Sequence, residues 1–255
     1  MGREVVKTVL NDPDLQLVTV VDKANGGKDI GEVIGVGATG LMVQTDLEAA
    51  LRRDAPQVMV DFSTPATVLE NIRTALFAKV HVVVGTTGIP TENLQEIDSW
   101  AAAAGANVLI APNFAVGALL MMRFAALAAR YFPSVEIIEL HHDQKLDAPS
   151  GTAMKTADMI LAGRNENKAA GIARGEEKIK GVRGGEMNGI RLHSIRLPGL
   201  IAHQEVIFGG EGQTLTIRHD SLSRESFMPG VALAVKRIEA FPGLTYGLDK
   251  ILFDN

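Results

Sequence analysis

The sequence predicts an α/β protein whose first half forms a parallel sheet covered by helices and whose second half contains strands of a different kind. Two observations support this prediction. Short, nearly continuous apolar runs alternate with helical patterns up to about residue 114, which is typical of strands buried on both faces. Between about residues 190 and 220, three strands follow one another in an antiparallel style, and the turn GGEG joins the last two.

The elements of the first half are read from apolar periodicity and from turn residues. A helix is predicted over 2–10, and the segment TPATVLENIRTALFA predicts another that is capped by Ser63 or Thr64, with Pro65 in its first turn. A further helix is predicted over TENLQEIDSWAAAA. The predicted strands are 15–22, 57–63, 79–85 and 107–112.

The second half opens with a long predicted helix over about 115–131. A strand over 134–142 and a helix over about 151–162 follow, and the polar, glycine-rich stretch 163–189 predicts a mobile loop. Three more strands and a closing helix complete the chain, over 190–197, 202–209, 213–220 and 229–241.

Composition excludes several classes of function. The net charge of −5 provides no basic stripe, which argues against nucleic acid as a partner. The absence of cysteine excludes disulfides and thiolate catalysis. No apolar stretch makes a clean membrane span, and no leader pattern opens the chain, so we expect a cytoplasmic protein without a membrane partner.

The N-terminal region carries part of a nucleotide-binding pattern. Asp22 ends a predicted strand twenty residues after Gly2, the spacing at which a dinucleotide-binding unit places the acid that holds the adenosine ribose. An ordinary exposed residue at a strand end explains Asp22 equally well. No strand and no G-x-G-x-x-G turn precede the first helix, so we expect a Rossmann-like sheet whose first strand is missing and a natural start upstream of Met1.

Lys23 directly follows Asp22. A carboxylate at this position holds the ribose hydroxyls of NAD, and a neighbouring cation pairs with the 2′-phosphate of NADP, so the pair is compatible with NADPH or NADH. The alternative is a solvated ion pair without a function.

Two loops follow predicted parallel strands at their carboxyl ends, where open α/β sheets bind ligands. The loop GTTG covers 85–88, and APNF covers 111–114, where Asn113 can both donate and accept a hydrogen bond. Because both loops lie at the same edge of the sheet, we expect them to line one ligand.

The segment ELHHDQKLDAPSGTA, residues 139–153, concentrates polar chemistry. A metal site is disfavoured because His141 and His142 are adjacent on a strand and point to opposite faces. A serine nucleophile is disfavoured because Ser150 lacks the G-x-S-x-G turn and fits a helix N-cap. An anion-binding, proton-transfer site fits best, since the amides of Gly151 and Thr152 open a helix.

The segment EIIELHHDQKLDAPSGTA, with GTTG, APNFAVG and the opening MGREVV, closely resembles the 4-hydroxy-tetrahydrodipicolinate reductase (dihydrodipicolinate reductase) family over essentially the whole chain. The resemblance implies NAD(P)H-dependent reduction of a cyclic imine dicarboxylate in the diaminopimelate route to lysine. It implies a dinucleotide-binding domain of 1–114 plus 228–255. It also implies an inserted α+β domain, 115–227, that binds substrate and assembles a homotetramer.

Site residues follow from the same resemblance. It implies that His141 donates the proton and that Lys145 is a second acid, while His142, Gly151 and Thr152 bind a substrate carboxylate. The residues implied to bind the cofactor are Met1, Gly2, Asp22, Lys23, Gly85, Thr86, Thr87, Ala111, Pro112, Asn113 and Phe114.

The sequence departs from the family pattern in two places. Only Met1 and Gly2 remain of the glycine-rich loop, and LIAHQEVIF stands where many members have GEH, so no role is assigned to His203. A non-catalytic dicarboxylate-binding member that has lost its cofactor loop is therefore the alternative function. A dehydrogenase of the aspartate-semialdehyde type is disfavoured because the chain has no cysteine nucleophile.

Overall fold

The computed structural model describes residues 1–164 and 176–253. The chain divides into two compact units. The first contains Met1–Phe114 and the segment from Phe227 onward, and the second contains the described part of Ala115–Ser226.

The first unit contains a four-stranded parallel sheet in the order β1-β2-β3-β9. Its strands are β1 (Val58–Asp61), β2 (His81–Val84), β3 (Val108–Ile110) and β9 (Leu244–Tyr246). Its helices are α1 (Gly2–Asn11), α2 (Ile30–Ile34), α3 (Leu47–Asp54), α4 (Val68–Phe77), α5 (Asn93–Ala104), α8 (Met228–Arg237) and α9 (Leu248–Phe253), with a 3₁₀ turn at Ile238–Ala240. The predicted parallel α/β fold is confirmed.

The apolar runs of the sheet form the core of this unit. The side chains of Val82, Val83 and Val84 have no exposed surface, as expected for a central parallel strand covered on both faces. Ile72 and Leu76 of α4 pack in the same core. The carboxyl ends of β1, β2 and β3 therefore lie at one edge of a rigid layer, which fixes the loops that follow them.

Two predictions about the first unit are wrong. Residues 15–22 form no regular strand; only Val21 forms an isolated bridge, with Gln44, because no described strand lies beside this segment. Helix α4 begins at Val68 after Thr67, and not at Pro65. The amide and the hydroxyl of Ser63 instead bond to the carboxylate of Asp61, so Ser63 is not available as a cap.

The second unit combines a five-stranded mixed sheet with two helices. The sheet order is β5-β6-β4-β7-β8. Its elements are α6 (Val116–Ala128), β4 (Ser134–His141), α7 (Gly151–Gly163), β5 (Gly185–Met187), β6 (Ile190–Arg196), β7 (Ala202–Gly210) and β8 (Gln213–Ser221), and a 3₁₀ turn covers Arg224–Phe227.

The predicted antiparallel pairing of the last two long strands, β7 and β8, is confirmed. β4 runs parallel to β6 and antiparallel to β7, so the strand of the histidine segment is central and has partners on both sides. Of the predicted loop 163–189, residues 165–175 lie outside the described residues, and Gly185–Met187 pairs with β6 as a strand. In the described ranges, no helix is long and apolar enough to cross a membrane.

Candidate active site

The second unit places His141 at the end of the central strand β4. Alternation along β4 puts His141 on the same face as Glu139, and the two side chains meet: Nδ1 of His141 lies 2.5 Å from Oε2 of Glu139. The His141 side chain is 14% exposed. β4 ends at His141, so His142 is not on the strand as predicted but follows it, and it is exposed.

Glu139 is fully buried, and sequence reasoning did not select it. Both terminal nitrogens of Arg196 donate to its carboxylate, Nη1 at 2.9 Å and Nη2 at 2.7 Å, and the amide of Ser150 donates at 3.3 Å. Burial raises the pKa of Glu139, but hydrogen bonds from His141, Arg196 and Ser194 outweigh it and lower the pKa to about 2. Glu139 is therefore an anion at neutral pH.

The loop after β4 carries Lys145. Its amide donates to the carbonyl of His142 at 3.2 Å, and its Nζ lies 2.7 Å from Oδ1 of Asp147. The hydrogen bond from Lys145 lowers the pKa of the Asp147 carboxyl, although partial burial opposes this. Nη2 of Arg196 also donates to the carbonyl of Asp147, at 2.7 Å, so this loop is fastened to β6.

Helix α7 begins directly after this loop. Ser150 is its N-cap, as predicted, because the Ser150 hydroxyl accepts a hydrogen bond from the amide of Ala153 at 3.2 Å. Gly151 is exposed, and a methyl group added at its Cα would meet no atom within 4 Å. The backbone N–H of Gly151 is one of the first N–H groups of α7, which have no partner within the helix, and helix starts of this kind are suited to anions.

His203 belongs to a different hydrogen-bond network in the second unit. Its Nδ1 lies 2.7 Å from the carboxylate of Asp220, and its Nε2 accepts a bond from the amide of Ile201 at 3.3 Å. Both ring nitrogens are therefore engaged within the protein. Its neighbour Gln204 is buried beside Glu139 in the register of β4 and β7, and it donates to the hydroxyl of Thr156 at 2.7 Å.

The first unit gathers the predicted loops at the carboxyl edge of its sheet. Thr86 is buried, and its hydroxyl donates to Asp61 at 2.9 Å, while Asn71 donates to the other oxygen of Asp61 at 2.8 Å. The buried side chain of Thr86 thus ties the loop after β2 to the end of β1. Thr87 is exposed at the same edge.

Close packing fixes the loop backbones beside Thr86. A methyl group on Gly85 would lie 2.0 Å from the ring of Phe62, so only glycine fits there. The ring of Phe62 in turn packs on Phe114, with centroids 5.8 Å apart. In the next loop Ala111 is buried, and the exposed Pro112 and half-buried Asn113 lie at the surface of the edge.

The N-terminal residues form a separate patch in the first unit. Met1 is the N-cap of α1, and Gly2 is exposed. Oδ1 of Asp22 accepts from the amides of Ala24 and Asn25, both at 2.9 Å, and thereby holds the loop that carries the exposed Lys23.

A cavity of about 290 Å³ lies beside this loop, and sequence reasoning missed it. Two of the residues that line it, Arg3 and Lys28, are cationic, and Asn25 also bonds to Asp22 through its side chain at 3.0 Å. Glu32 and Val33 complete the lining. Across the described residues, no group of three or more histidine, aspartate or glutamate side chains is placed to hold a metal ion.

Comparison with known families was decisive. The family model described as "Dihydrodipicolinate reductase, N-terminus" matches residues 1–114, and the one described as "Dihydrodipicolinate reductase, C-terminus" matches residues 117–252. The chain belongs to the dihydrodipicolinate reductase family.

Individual relatives agree with this assignment. The chain is 53% identical to a 4-hydroxy-tetrahydrodipicolinate reductase of Desulfitobacterium hafniense over 99% of its own length and 94% of the relative. It is 54% identical to one of Listeria innocua, covering 99% and 95% of the two chains.

Solved structures show the same relationship. A dipicolinate-bound dihydrodipicolinate reductase from Paenisporosarcina sp. TG-14 superimposes with a TM-score of 0.83 at 46% identity, covering 98% of this chain and 94% of that one. An amine dehydrogenase from Mycobacterium smegmatis has a TM-score of 0.63 at 15% identity, over 98% and 92% of the two chains, which is a likeness of fold.

This reductase is an oxidoreductase, and its cofactor is NADH or NADPH. The first unit fits such a group. Exposed loops follow the carboxyl ends of parallel strands, and the tight approach at Gly85 keeps their backbone close to the sheet. Oδ2 of Asp22 is not used in the bonds that hold its loop, so it remains available for ribose hydroxyls.

Proposed function

We propose that this reductase converts 4-hydroxy-tetrahydrodipicolinate to tetrahydrodipicolinate. One hydride and one proton are added to the ring, and the 4-hydroxyl group leaves as water, so atoms and electrons balance against oxidation of NADH or NADPH. The observation that carries the proposal is the segment from Glu139 to Thr152. It brings together an imidazole at the end of β4, an ammonium group in the loop that follows, and the backbone amides at the start of α7.

The helix start binds a carboxylate of the substrate. Gly151 and Thr152 open α7 at its positive end, where a carboxylate is stabilised by hydrogen bonds and by the helix dipole. His142 is exposed beside this turn and contributes a further donor. Lys145 adds a positive charge from the loop between them.

His141 supplies the proton. Addition of hydride to the conjugated ring system places negative charge on the ring nitrogen, and an acid within reach neutralises it. Histidine is suited to this step near neutral pH. Lys145, which is held by Asp147, acts as the second acid and as an electrostatic partner of the developing charge.

The first unit holds the cofactor, and the second holds the substrate. Asp22 and Lys23 bind the adenosine ribose and its phosphate, and Met1 and Gly2 place the start of α1 at the pyrophosphate. The loops at Gly85–Thr87 and Ala111–Phe114 line the nicotinamide half. When bound, the reduced nicotinamide supplies the hydride. Because this cofactor must be available, the reductase works in the cytoplasm.

The second unit also carries the assembly into a homotetramer. Helices α6 and α7 pack on one face of its sheet, and the other face presents half-exposed apolar side chains of Ile138, Leu140, Ile195 and Ile207. Such a face supports self-association. Sedimentation velocity tests this: a tetramer is expected, and Ile138→Asp is expected to dissociate it. A monomeric wild-type protein would contradict the proposed assembly.

Binding of dipicolinate tests the substrate site without turnover. Isothermal titration calorimetry of the reductase is expected to show saturable binding of dipicolinate and at least ~10-fold weaker binding of picolinate, which lacks one carboxylate, since a charge-assisted hydrogen bond contributes about 1.5–3 kcal/mol. Equal affinity for the two compounds, or no binding of either by the folded protein, would contradict the proposed carboxylate site.

A further inference from the structure

Glu139 is an unusual residue to find in the middle of a central strand. Its side chain has no exposed surface, yet it carries a negative charge. A buried charge is strongly unfavourable unless donors surround it, and the donors here come from β4, β6 and the start of α7. We propose that Glu139 is the positioning residue of the reductase, which holds the His141 ring, the Lys145 loop and the α7 start in one arrangement.

The first contact fixes the His141 ring. Because an ionised carboxylate can only accept hydrogen bonds, Nδ1 of His141 must donate to Glu139 across the 2.5 Å separation. Within the described chain, no residue bonds to Nε2. The proton that His141 transfers therefore leaves from Nε2, while Glu139 holds the ring through Nδ1.

The second contact fixes the Lys145 loop. Arg196 uses both terminal nitrogens on Glu139, and its Nη2 also donates to the carbonyl of Asp147. The carboxylate of Asp147 then holds Nζ of Lys145. A continuous chain of bonds thus runs from the first acid to the second acid through Glu139.

The third contact fixes the start of α7. The amide of Ser150 donates to Oε1 of Glu139, and Ser150 is the cap that orients Gly151 and Thr152. One buried carboxylate is therefore tied to the proton donor, the loop cation and the proposed carboxylate-binding turn. Two of its partners lie on strands, which hold side chains more rigidly than loops do.

This inference rests on the proposed function, because it assigns Glu139 to the same reaction. The decisive variant is Glu139→Gln, which keeps the shape of the side chain and removes its charge. Its kcat is expected to fall about 10²- to 10⁴-fold, the range that a general acid contributes, while the Kd of NADPH stays unchanged. Glu139→Asp, which keeps the charge, is expected to recover part of the loss.

The histidine spectrum supplies a readout that a merely structural role would not move. In Glu139→Gln, nitrogen NMR of ¹⁵N-labelled histidine is expected to show a changed His141 signal, because an amide replaces the carboxylate that accepts from Nδ1. The other charged groups at this cluster are Arg196 on β6 and, through Asp147, Lys145, and β7 contributes the neutral Gln204. The control is Glu205→Gln, which removes the β7 carboxylate that accepts a hydrogen bond from Arg218 of β8 and is expected to leave the His141 spectrum unchanged.

If Glu139→Gln fails to fold, a double variant tests the inference instead. Replacing both charges, Glu139→Gln with Arg196→Gln, removes the buried pair as a unit and avoids an unpaired charge. In this variant, nitrogen NMR of ¹⁵N-labelled histidine, with His141→Gln for assignment, is expected to show that His141 is no longer held with its proton on Nδ1. An unchanged His141 spectrum would overturn the inference.

The two proposals fail in different ways. If the wild-type protein does not turn over the substrate, but the His141 spectrum changes in the double variant, the proposed function fails, and only the contact by which Glu139 holds His141 is established. If the wild-type protein turns over and Glu139→Gln matches it, the positioning role fails and the proposed function stands.

Discussion

The carboxylate of Glu139 accepts hydrogen bonds from both terminal nitrogens of Arg196, at 2.9 and 2.7 Å, across two parallel strands. In this register Arg196 lies beside His141, so one ion pair and the proposed proton donor occupy adjacent positions of the same sheet. The pair is buried on the glutamate side and part-buried on the arginine side. Stability and the proposed proton transfer therefore depend on the same contacts.

Acid pH is expected to destabilise the reductase through its depressed carboxyl groups. The pKa of Glu139 falls from 4.5 to about 2, and hydrogen bonds from Thr39, Gly40 and Gly31 lower the pKa of Asp29 from 3.8 to about 2 despite partial burial. Because both values are lowered by folding, their stabilisation is present above the unfolded values and is lost as the pH falls toward 2.

Urea unfolding between pH 7 and pH 2.5 measures this effect. Glu139→Gln is expected to lower the free energy of unfolding at pH 7 by about 3–5 kcal/mol, because Arg196 is left without its partner, and to flatten the decline below pH 4.5. Glu211→Gln removes an exposed carboxylate in the β7–β8 turn and serves as the control. A wild-type curve that is flat from pH 5 to pH 2.5 would contradict the prediction.

Replacing the proposed acid should separate chemistry from cofactor binding. His141→Gln is expected to lose most turnover, about 10²- to 10⁴-fold in kcat, because the proton donor is gone. The Kd of NADPH, measured by fluorescence titration, should change little, since His141 belongs to the second unit and the proposed cofactor residues to the first. Normal turnover by this variant would show that His141 is not the donor.

A single N–H group at the start of α7 can be removed without removing a side chain. Gly151→Pro eliminates that donor at a helix position that tolerates proline, and Ser150, with φ −67° and ψ 153°, already has the backbone conformation that proline requires of the preceding residue. Gly151→Ala keeps the donor, and its methyl group has room.

The expected result for Gly151→Pro is a rise of roughly 10- to 100-fold in the Kd of dipicolinate, the equivalent of one charge-assisted hydrogen bond. Gly151→Ala should bind as the wild-type protein does. Equal affinity of the proline and alanine variants would remove the helix start from the substrate site.

Two lysines near Asp22 predict cofactor selectivity: Lys28 lines the cavity, and the exposed Lys23 follows Asp22 in the chain. Lys28→Ala and Lys23→Ala are each expected to raise the Kd of NADPH about 10-fold or more and that of NADH much less, because only NADPH carries a 2′-phosphate. Lys7→Ala is the matched control, since Lys7 lies about one helical turn after the cavity residue Arg3 on α1 and pairs with Glu4. Parallel weakening of both cofactors would contradict a role in phosphate recognition.

Local patterns in the sequence were sufficient for much of the fold. The fully apolar run at Val82–Val84 predicted a buried parallel strand, and Ser150 predicted the start of α7. The segment 15–22 has a composition typical of a strand, but in the structure only Val21 forms a bridge, with Gln44. A strand also needs a neighbouring strand to pair with, and composition does not show whether one is present. Pro65 lies in a turn before α4 and not at its first position, because the predicted cap Ser63 donates a hydrogen bond to Asp61.

The site was predicted less completely, for a physical reason. His141, Lys145 and Gly151 stand together in one segment, so the sequence could select them. Arg196 is 57 residues from Glu139, and only the parallel register of β4 and β6 brings them together. The signal that was available for Glu139 was its spacing of two from His141, which puts both on one face of a strand.

Oxidation of NADPH and NADH by the purified protein tests the central claim most directly. The assay follows the absorbance of the reduced cofactor while the protein is supplied with the freshly formed condensation product of pyruvate and aspartate semialdehyde. We predict saturable oxidation with the wild-type protein and a loss of about 10²-fold or more with His141→Gln. A folded protein that binds dipicolinate but oxidises neither cofactor would contradict the proposed reaction.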